Sequence, residues 1–457
     1  MLKKLFQSFR LPLRRLPHQR HAPETLTARQ HSLRRQDISR NAVSVVERLQ
    51  QAGYEAYVVG GCVRDLLLEI EPKDYDVATS ATPEQVRAVF RNARVIGRRF
   101  KLVHVHFGRE IIEVATFRAE HPVDDEDDHL ASRNESGRLL RDNIYGTLDD
   151  DAQRRDFTIN ALYYDPSSER IVDHTHGMQD IRNRLIRLIG DPEQRYQEDP
   201  VRMLRAVRFA AKLDFDVERH SAEPIRELAP LLEGIPAARL FDETLKLFLG
   251  GNAEHTYDLL RHYDLFAPLF PATAEALEDN PEYTDRLIRQ AMINTDLRIE
   301  QGKPVTPAFL YAALLWPALP ARVQELQDSG MPPIPAMQEA AHDILWEQCQ
   351  RTALPKRFSI PMREIWDMQE RLPRRQGRRA DQLMENPRFR AGYDFLLLRE
   401  SAGEQTGGLG DWWTRYQEVN ESTRRTMIRE LSGDKGAAGA PRKRRRSGRR
   451  RSDGAAE

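Results

Sequence analysis

The sequence predicts a mixed α/β head, a small mixed sheet with helices, followed by all-α neck and body segments and a disordered basic tail. Three observations lead there. Between residues 54 and 118, alternating or β-branched runs interleave with capped helices. Beyond roughly residue 180 strand signals give way to amphipathic helical periodicity that continues to about 432. The last 25 residues are rich in Gly, Ala, Arg and Ser and hold no apolar core.

A length of 457 residues exceeds one compact core, and a hydrophobic content of 40% suffices for several. The expected segments are a flexible basic leader over 1–36, the head over 37–188, a helical neck over 189–275, a helical body over 276–432 and the tail over 433–457. No internal repeat is visible.

Taken in order, Ser39 is placed as the N-cap of a helix carrying Ala42, Val46 and Leu49 on one face and stopped by Gly53. Tyr57–Val59 reads as a strand, Cys62–Glu69 as a short helix and Tyr75–Ala78 as a second strand. Thr82-Pro83-Glu84-Gln85 has the form of a capping box with proline at the first helical position. Leu102–Phe107 and Ile111–Phe117 read as a hairpin around Gly108-Arg109. The polar stretch 119–145, with its acidic run 124–128, reads as a mobile loop. The longest apolar run, Pro307 to Ala321, is interrupted by Pro317 and Pro320 and reads as a buried helix rather than a membrane span.

The charges, 70 Lys/Arg against 70 Asp/Glu, are unevenly placed. Residues 1–35 carry nine Lys/Arg against Glu24, and 441–451 carry eight with no acid, so the intervening chain is acidic. An acidic body with two basic ends suits a polyanionic partner gripped by the ends. Cys62 and Cys349 have no pairing or metal spacing, which excludes a disulfide framework and a Cys-based zinc site. The basic N-terminus lacks a signal-peptide core, although its Leu/Phe/Arg mix suits contact with a membrane surface. The expected compartment is the cytoplasm.

The most specific signal is Val58-Val59-Gly60-Gly61-Cys62-Val63-Arg64-Asp65 followed by Lys73-Asp74-Tyr75-Asp76-Val77. Glycines after a strand let backbone approach a phosphate, and the helix that follows offers free N–H groups. Arg64 adds charge for a triphosphate. Asp74 and Asp76, two apart on a strand, would project from one face and hold two hard cations. A D-x-D pair by itself is usually a turn or a solvated edge; strand, Gly-Gly, helix and D-x-D in this order are far more specific. Glu113, inside the apolar run Ile111–Thr116, calls for a partner or a metal, unless its strand is an edge facing solvent. Asp156, in Arg154-Arg155-Asp156-Phe157-Thr158-Ile159-Asn160-Ala161, is a second candidate for the third carboxylate, with arginines able to reach phosphate oxygens.

Asp199, Arg202, Arg205 and Arg208 recur every three residues and, on one helix, would form a polar stripe with Leu204, Val207 and Ala211 turned to a core. An Asp/Arg pair can read a base edge, Asp accepting from an exocyclic amine and Arg donating to a ring acceptor. Adenine and cytosine offer that pattern; guanine and uracil do not. The alternative is a salt-bridge ladder on a helix surface.

Together these residues resemble the class II nucleotidyltransferases of the polymerase β superfamily, the bacterial poly(A) polymerases and CCA-adding enzymes. The resemblance covers roughly 40–275 with specific motifs and the helical remainder more loosely. It implies a polymerase β-like head that adds nucleotides to RNA 3′ ends without a template, by two-metal transfer with two Mg²⁺ ions and release of pyrophosphate. By the same resemblance Gly60, Gly61 and Arg64 bind the triphosphate and Asp74 and Asp76 hold Mg²⁺. Arg155, Arg205 and Arg208 contact the nucleotide, and Asp199 with Arg202 reads the base. The aspartate of the RRDFTINA segment is essential in the family, which implies Asp156 as the third catalytic acid, with Glu113 kept as a candidate ligand. Cys62 stands where a third glycine is frequent, and is small enough to fit.

The segment Ile96–Val105, the helical extension after 275 and the arginine-rich tail resemble the poly(A) polymerase branch. The expected activity is therefore polynucleotide adenylyltransfer from ATP, with CCA addition to tRNA as the alternative. Expected partners are ATP and the RNA 3′ ends of mRNA, regulatory RNA and tRNA precursors, with the RNA-decay machinery behind them. A monomer without stable membrane insertion is expected. A non-catalytic RNA-binding protein would not need paired carboxylates in a positive field. A phosphohydrolase built on His342-Asp343 would need further His and Asp ligands that the sequence lacks in recognisable positions.

Overall fold

The computed structural model describes residues 22–97, 101–119, 131–133, 139–142 and 144–433. The acidic run 124–128, Arg98–Phe100 and the basic tail lie outside the described residues. The chain divides into two compact units. The first runs to Ala274 and includes Thr295–Lys303 and Glu347–Ala353; the second takes Glu275–Asn294, Pro304–Trp346 and the chain from Leu354.

The first unit is built on an eight-stranded mixed sheet. Its strands are β1 (Glu24–Leu26), β2 (Ala56–Val59), β3 (Asp76–Thr79), β4 (Ala93–Ile96), β5 (Leu102–Phe107), β6 (Glu110–Thr116), and two from beyond a separate ribbon of β7 (Ala131–Arg133) and β8 (Leu139–Asp142), namely β9 (Leu162–Asp165) and β10 (Arg170–Asp173). The order across the sheet is β1-β10-β9-β2-β3-β6-β5-β4. Within this sheet, among the described residues, only β3 and β6 pair in parallel; the other pairs are antiparallel. Helices α1 (Arg40–Gln51), α2 (Gly61–Leu67) and α3 (Pro83–Val89) start where the cap residues require. Ser39 accepts from the Asn41 amide, and Thr82 and Gln85 form the reciprocal capping box. Val103, Val105, Ile112 and Val114 are buried, while the alternate residues His104 and Glu113 are partly exposed, so the hairpin turns one apolar and one polar face.

After α4 (Leu148–Gln153), α5 (Gly177–Asn183) and the two-residue strand β11 (Leu185–Ile186), the unit continues in helices α6 (Pro192–Glu198) and α7 (Val201–Leu213). Strand β12 (Asp216–Val217) pairs in parallel with β11. Helices α8 (Arg219–Ala222), α9 (Ile225–Leu228), α10 (Ala237–Phe248) and α11 (Ala253–His262) follow. The second unit is helical, with a core of Met368, Leu372, Tyr393, Leu396, Trp413 and Tyr416. Trp413 Nε1 donates to the Leu372 carbonyl at 3.1 Å, so its indole is buried with its donor satisfied.

Several expectations are corrected. The leader ends earlier than residue 36, because β1 pairs with β10 and buries Leu26. The stretch 119–145 is not loop throughout but contains the β7–β8 ribbon. Strand pairing persists past 180 in β11 and β12. The apolar run from Pro307 forms two helices, Pro307–Leu315 and Ala318–Asp328, because Pro317 cannot donate into a continuing helix and caps the second one instead. Asp74 lies outside β3. The ladder begins at Asp76, opposite Val59, because Gly60 turns the partner strand away at that point and leaves nothing for residue 74 to pair with. Asp199 lies outside α7. Proline at 200 disfavours helical backbone in the residue before it, and Asp199 is extended at φ −147° and ψ 91°.

Candidate active site

The site is assembled on one row of the sheet. Tyr163, Val59, Asp76, Glu113 and His104 are successive register partners across β9, β2, β3, β6 and β5, so their side chains share a face. Tyr163 and Val59 pack with Phe117 and Ala152 into a buried cluster. The polar half of the row begins at Asp76. Strand β6 is interior, lying between β3 and β5, so Glu113 is not an edge glutamate. It stands beside Asp76, and its Oε2 lies 3.4 Å from His104 Nε2.

Burial first, and then the Glu113 carboxylate, push the Asp76 carboxyl up to about 6, against the pull of Arg155. Asp74, exposed before the strand, adds to that repulsion. A part-buried carboxyl raised by the carboxylate beside it describes a place for positive charge. Among the described residues no three His, Cys, Asp or Glu side chains form a closed cage for a metal. An all-oxygen set of few carboxylates fits a hard divalent cation that keeps water and substrate phosphate as its remaining ligands.

The Gly60-Gly61 turn joins this carboxylate row to a cluster of arginines. Gly60 caps α2 at φ +83° and ψ −137°, a backbone conformation essentially reserved for glycine. A Cβ there would lie 3.9 Å from Asp76 Oδ2 and 3.5 Å from Arg155 Nη1. A Cβ on Gly61 would meet only Arg64 Nη2, at 3.5 Å, which leaves room for a ligand over the turn.

Arg64 is buried behind the turn. Its Nε donates to Asp65 Oδ1 at 2.8 Å and its Nη1 to Asn160 Oδ1. The Asn160 amide donates in turn to Asp156 Oδ1 at 3.1 Å, and Lys212 Nζ donates to Asp65 Oδ2 at 2.8 Å. Asp156 is fully engaged: it also accepts from the Phe157 amide at 2.8 Å, and Oδ2 takes Arg205 Nε at 2.7 Å together with Arg205 Nη2. Burial alone would raise the Asp156 carboxyl, but Arg205 and Asn160 more than offset it and hold it down at about 2. Arg155 is pinned by Asp151 Oδ2 at 3.0 Å and Tyr163 Oη at 2.9 Å, which hold its charge although burial opposes it.

Arg64, Arg205 and Arg208 surround the Phe209 ring, with guanidinium carbons 5.0, 5.6 and 4.7 Å from its centroid. Arg64 and Arg205 have carboxylate partners; Arg208 Nε is buried with no hydrogen-bond partner. Burial, and then Arg205, lower the Arg208 pKa. A buried donor left unsatisfied is costly, and an anion would satisfy it.

The structure therefore brings together Gly60, Gly61, Asp76, Glu113 and Arg155, and ties Arg64, Asp156, Arg205 and Arg208 into an adjoining network. It does not bring Asp199 to Arg202. Asp199 Oδ2 accepts from Arg239 Nη2 at 2.7 Å, and Arg202 Nη1 donates to the Arg195 carbonyl at 2.6 Å and to Glu198 Oε2 at 3.1 Å. Sequence reading missed Asn160, Lys212 and Arg239. Lys212 continues the helical spacing of Arg205 and Arg208 and was legible; Arg239, forty residues from Asp199, was not. His342-Asp343 lies on helix Pro333–Arg351, with Asp343 held by Arg322 at 2.7 Å and His342 exposed. That is a helix-surface pair.

Comparison with known proteins follows the same division. The family described as "Poly A polymerase head domain" matches residues 56–187, "Probable RNA and SrmB- binding site of polymerase A" matches 214–277, and "Polymerase A arginine-rich C-terminus" matches 329–451. Poly(A) polymerase I of Salmonella typhimurium is 50% identical over 426 residues, spanning 92% of this chain and 91% of that protein. The chain belongs to the poly(A) polymerase I family. A CCA-adding enzyme of Lactobacillus helveticus is more distant, 37% identical over 54% of this chain and 59% of its own length. Among solved structures, a Bacillus stearothermophilus CCA-adding enzyme in complex with CTP is 26% identical with a TM-score of 0.50, covering 88% of each chain. This member of the poly(A) polymerase I family thus has a nucleotidyltransferase head followed by a mostly helical remainder. Among its described residues no helix is long and apolar enough to cross a membrane.

Proposed function

We propose that the chain transfers AMP from ATP to RNA 3′-hydroxyl ends without a template and releases pyrophosphate. The observation that carries the reading is the Asp76–Glu113 pair, joined through the Gly60-Gly61 turn to the buried arginines around Phe209. Membership beside the poly(A) polymerase I of Salmonella typhimurium, over 92% of the chain, supports AMP rather than CCA addition.

In this reading Asp74, Asp76 and Glu113 would hold two Mg²⁺ ions, which when bound supply charge to ionise the attacking hydroxyl and stabilise the leaving pyrophosphate. The chain's own residues do the rest. Gly60 and Gly61 leave space for the triphosphate to approach the backbone. Arg155, Arg205 and Arg208 offset its negative charge, and Arg64 adds a buried positive charge behind the turn. Asp156 holds Arg205 and the Asn160 side chain holds Arg64, so Asp156 acts by positioning Arg205 rather than as a free carboxylate. Asp199 accepts from the adenine amine and Arg202 donates to a ring nitrogen.

The RNA substrates in this reading are the 3′ ends of mRNA, regulatory RNA and tRNA precursors in the cytoplasm. The match of 214–277 to a family described as a probable RNA- and SrmB-binding site supports RNA contact by that segment.

The test is a denaturing gel of a 3′-hydroxyl RNA incubated with Mg²⁺ and each nucleoside triphosphate. A long ladder with ATP alone is expected; a stop after a single A would reassign the chain to CCA addition. Asp74→Ala and Asp76→Ala should each lose at least about a hundredfold in turnover, equivalent to roughly 3 kcal/mol of transition-state stabilisation, with RNA affinity largely kept. Substantial turnover in either variant would break the assignment.

A further inference from the structure

The junction between α6 and α7 holds Asp199 in an unusual position for a residue that is to read a base. It belongs to neither helix, so its side chain has no helical neighbour to restrain it. Its Oδ1 accepts from the Val201 amide at 3.3 Å, a long contact with the first free N–H of α7. Aspartate at such a place has an alternative use for both oxygens, because the N-terminal amides of a helix attract a carboxylate. One contact draws the other way. Arg239 Nη2 donates to Oδ2 at 2.7 Å from α10, a different helix. The Arg239 amide donates to the Pro236 carbonyl at 2.9 Å, so the residue that supplies the guanidinium sits in a fixed first turn. Arg202, by contrast, is spent on Glu198 and the Arg195 carbonyl and does not touch Asp199.

We propose that Arg239 is the positioning residue that fixes the Asp199 carboxylate for base selection. The inference rests on the reading that Asp199 accepts from the amine of the incoming base. A carboxylate has about four acceptor sites. Two are taken by Val201 and Arg239, and those left point in fixed directions. Adenine or cytosine brings an amine to them. Guanine or uracil brings a carbonyl oxygen to the same place, acceptor facing acceptor, and is rejected by that repulsion. Rejection of this kind requires that the carboxylate cannot swing away. The charge-assisted contact with Arg239 supplies that restraint. Without it, Asp199 can turn both oxygens to the α7 amides, and the repulsion against guanine and uracil falls.

Steady-state kcat/KM for ATP, CTP, GTP and UTP, measured on a 3′-hydroxyl RNA with the full chain, tests the proposal in Arg239→Ala, Arg239→Lys, Asp199→Ala and the Asp199→Ala/Arg239→Ala pair. In Arg239→Ala, use of GTP and UTP relative to ATP should rise by roughly tenfold, the ratio set by losing one charge-assisted hydrogen bond. CTP relative to ATP should stay within about twofold, because cytosine offers the same amine. The loss for ATP should appear in KM more than in kcat, and Arg239→Lys should restore part of the selectivity. The double variant should be no more permissive than Asp199→Ala alone, as expected when one residue acts through the other. A proportional loss for all four nucleotides in Arg239→Ala would reduce the contact to a structural salt bridge and overturn the proposal. So would an unchanged preference in Arg239→Ala beside a relaxed one in Asp199→Ala. If Asp199→Ala itself left the preference unchanged, the base-reading role would fail first, and this inference with it.

Discussion

At Asp76 the carboxyl sits on a half-packed sheet face next to Glu113, and burial with that neighbouring carboxylate pushes it up from an ordinary 3.8 to about 6. A carboxyl whose folded pKa is raised contributes stability that is fully present below its unfolded value and lost as pH rises through the folded one. In chelator, wild-type stability should therefore decline between about pH 4 and pH 6 for this reason, while Asp76→Asn escapes the loss. At pH 7.5 without Mg²⁺ the variant should be as stable as wild type or more so, by roughly 1–2 kcal/mol after discounting partial solvent access, and the gap should close near pH 4. Mg²⁺ should raise the melting midpoint of wild type more than that of Asp76→Asn, and its apparent affinity for wild type should weaken as pH falls below about 6. Melting curves across this pH range with and without Mg²⁺ decide the matter. A variant less stable than wild type in chelator at pH 7.5 would mean that the carboxylates have a partner other than a cation.

The β2–turn–α2 element makes a sharper distinction between its two glycines than their adjacency suggests. Gly60 is needed for its backbone: φ +83° and ψ −137° strain any other residue by roughly 1–3 kcal/mol, although a Cβ would meet nothing closer than 3.5 Å. Gly61 is the first residue of α2 and shows no positive φ. Alanine there should keep the fold within about 1 kcal/mol, since alanine is the better helix former, and should act mainly by filling the space over the turn. Gly60→Ala is thus expected to lower both the melting midpoint and the affinity for ATP, and Gly61→Ala to raise KM for ATP at nearly constant midpoint. Equal stability losses in the two would remove the distinction. The same element explains the position of Asp74. The spacing of a D-x-D pair is visible in sequence, but where a strand ladder starts depends on where the partner strand turns away, and here Gly60 makes that decision.

Over the whole molecule the charge distribution makes a separate statement. Residues 442–451 hold eight Lys/Arg in a segment with no large apolar side chain, a composition suited to electrostatic contact with a polyanion. Each phosphate neutralised on single-stranded RNA contributes about −0.7 to the slope of log K against log salt. If three to five of those charges engage, ending the chain near Ala440 should flatten the slope by roughly 2–3.5 and shorten processive runs. Rates on a saturating primer at low salt should barely change, because no residue assigned to the chemistry lies there. RNA affinity across a salt series, full chain against truncated chain, measures this directly. Equal slopes would move the grip to the helical segments or the basic N-terminus.

By itself the sequence determined the local and periodic features: the Ser39 and Thr82 caps, the hairpin about Gly108-Arg109, the Gly60-Gly61 turn, and the stripe Arg202, Arg205, Arg208 on a helix. These depend on neighbours within a few residues, where backbone propensity and side-chain period act directly. Tertiary structure decided which side chains meet. Glu113 lies beside Asp76 because β3 and β6 pair in parallel at that register, a contact between residues 37 positions apart. Asp156 answers Arg205 rather than a free site, and Asp199 answers Arg239 rather than the arginine three residues on. A carboxylate at an element boundary takes whichever cation packing brings within reach, and packing between distant segments is not written in local spacing.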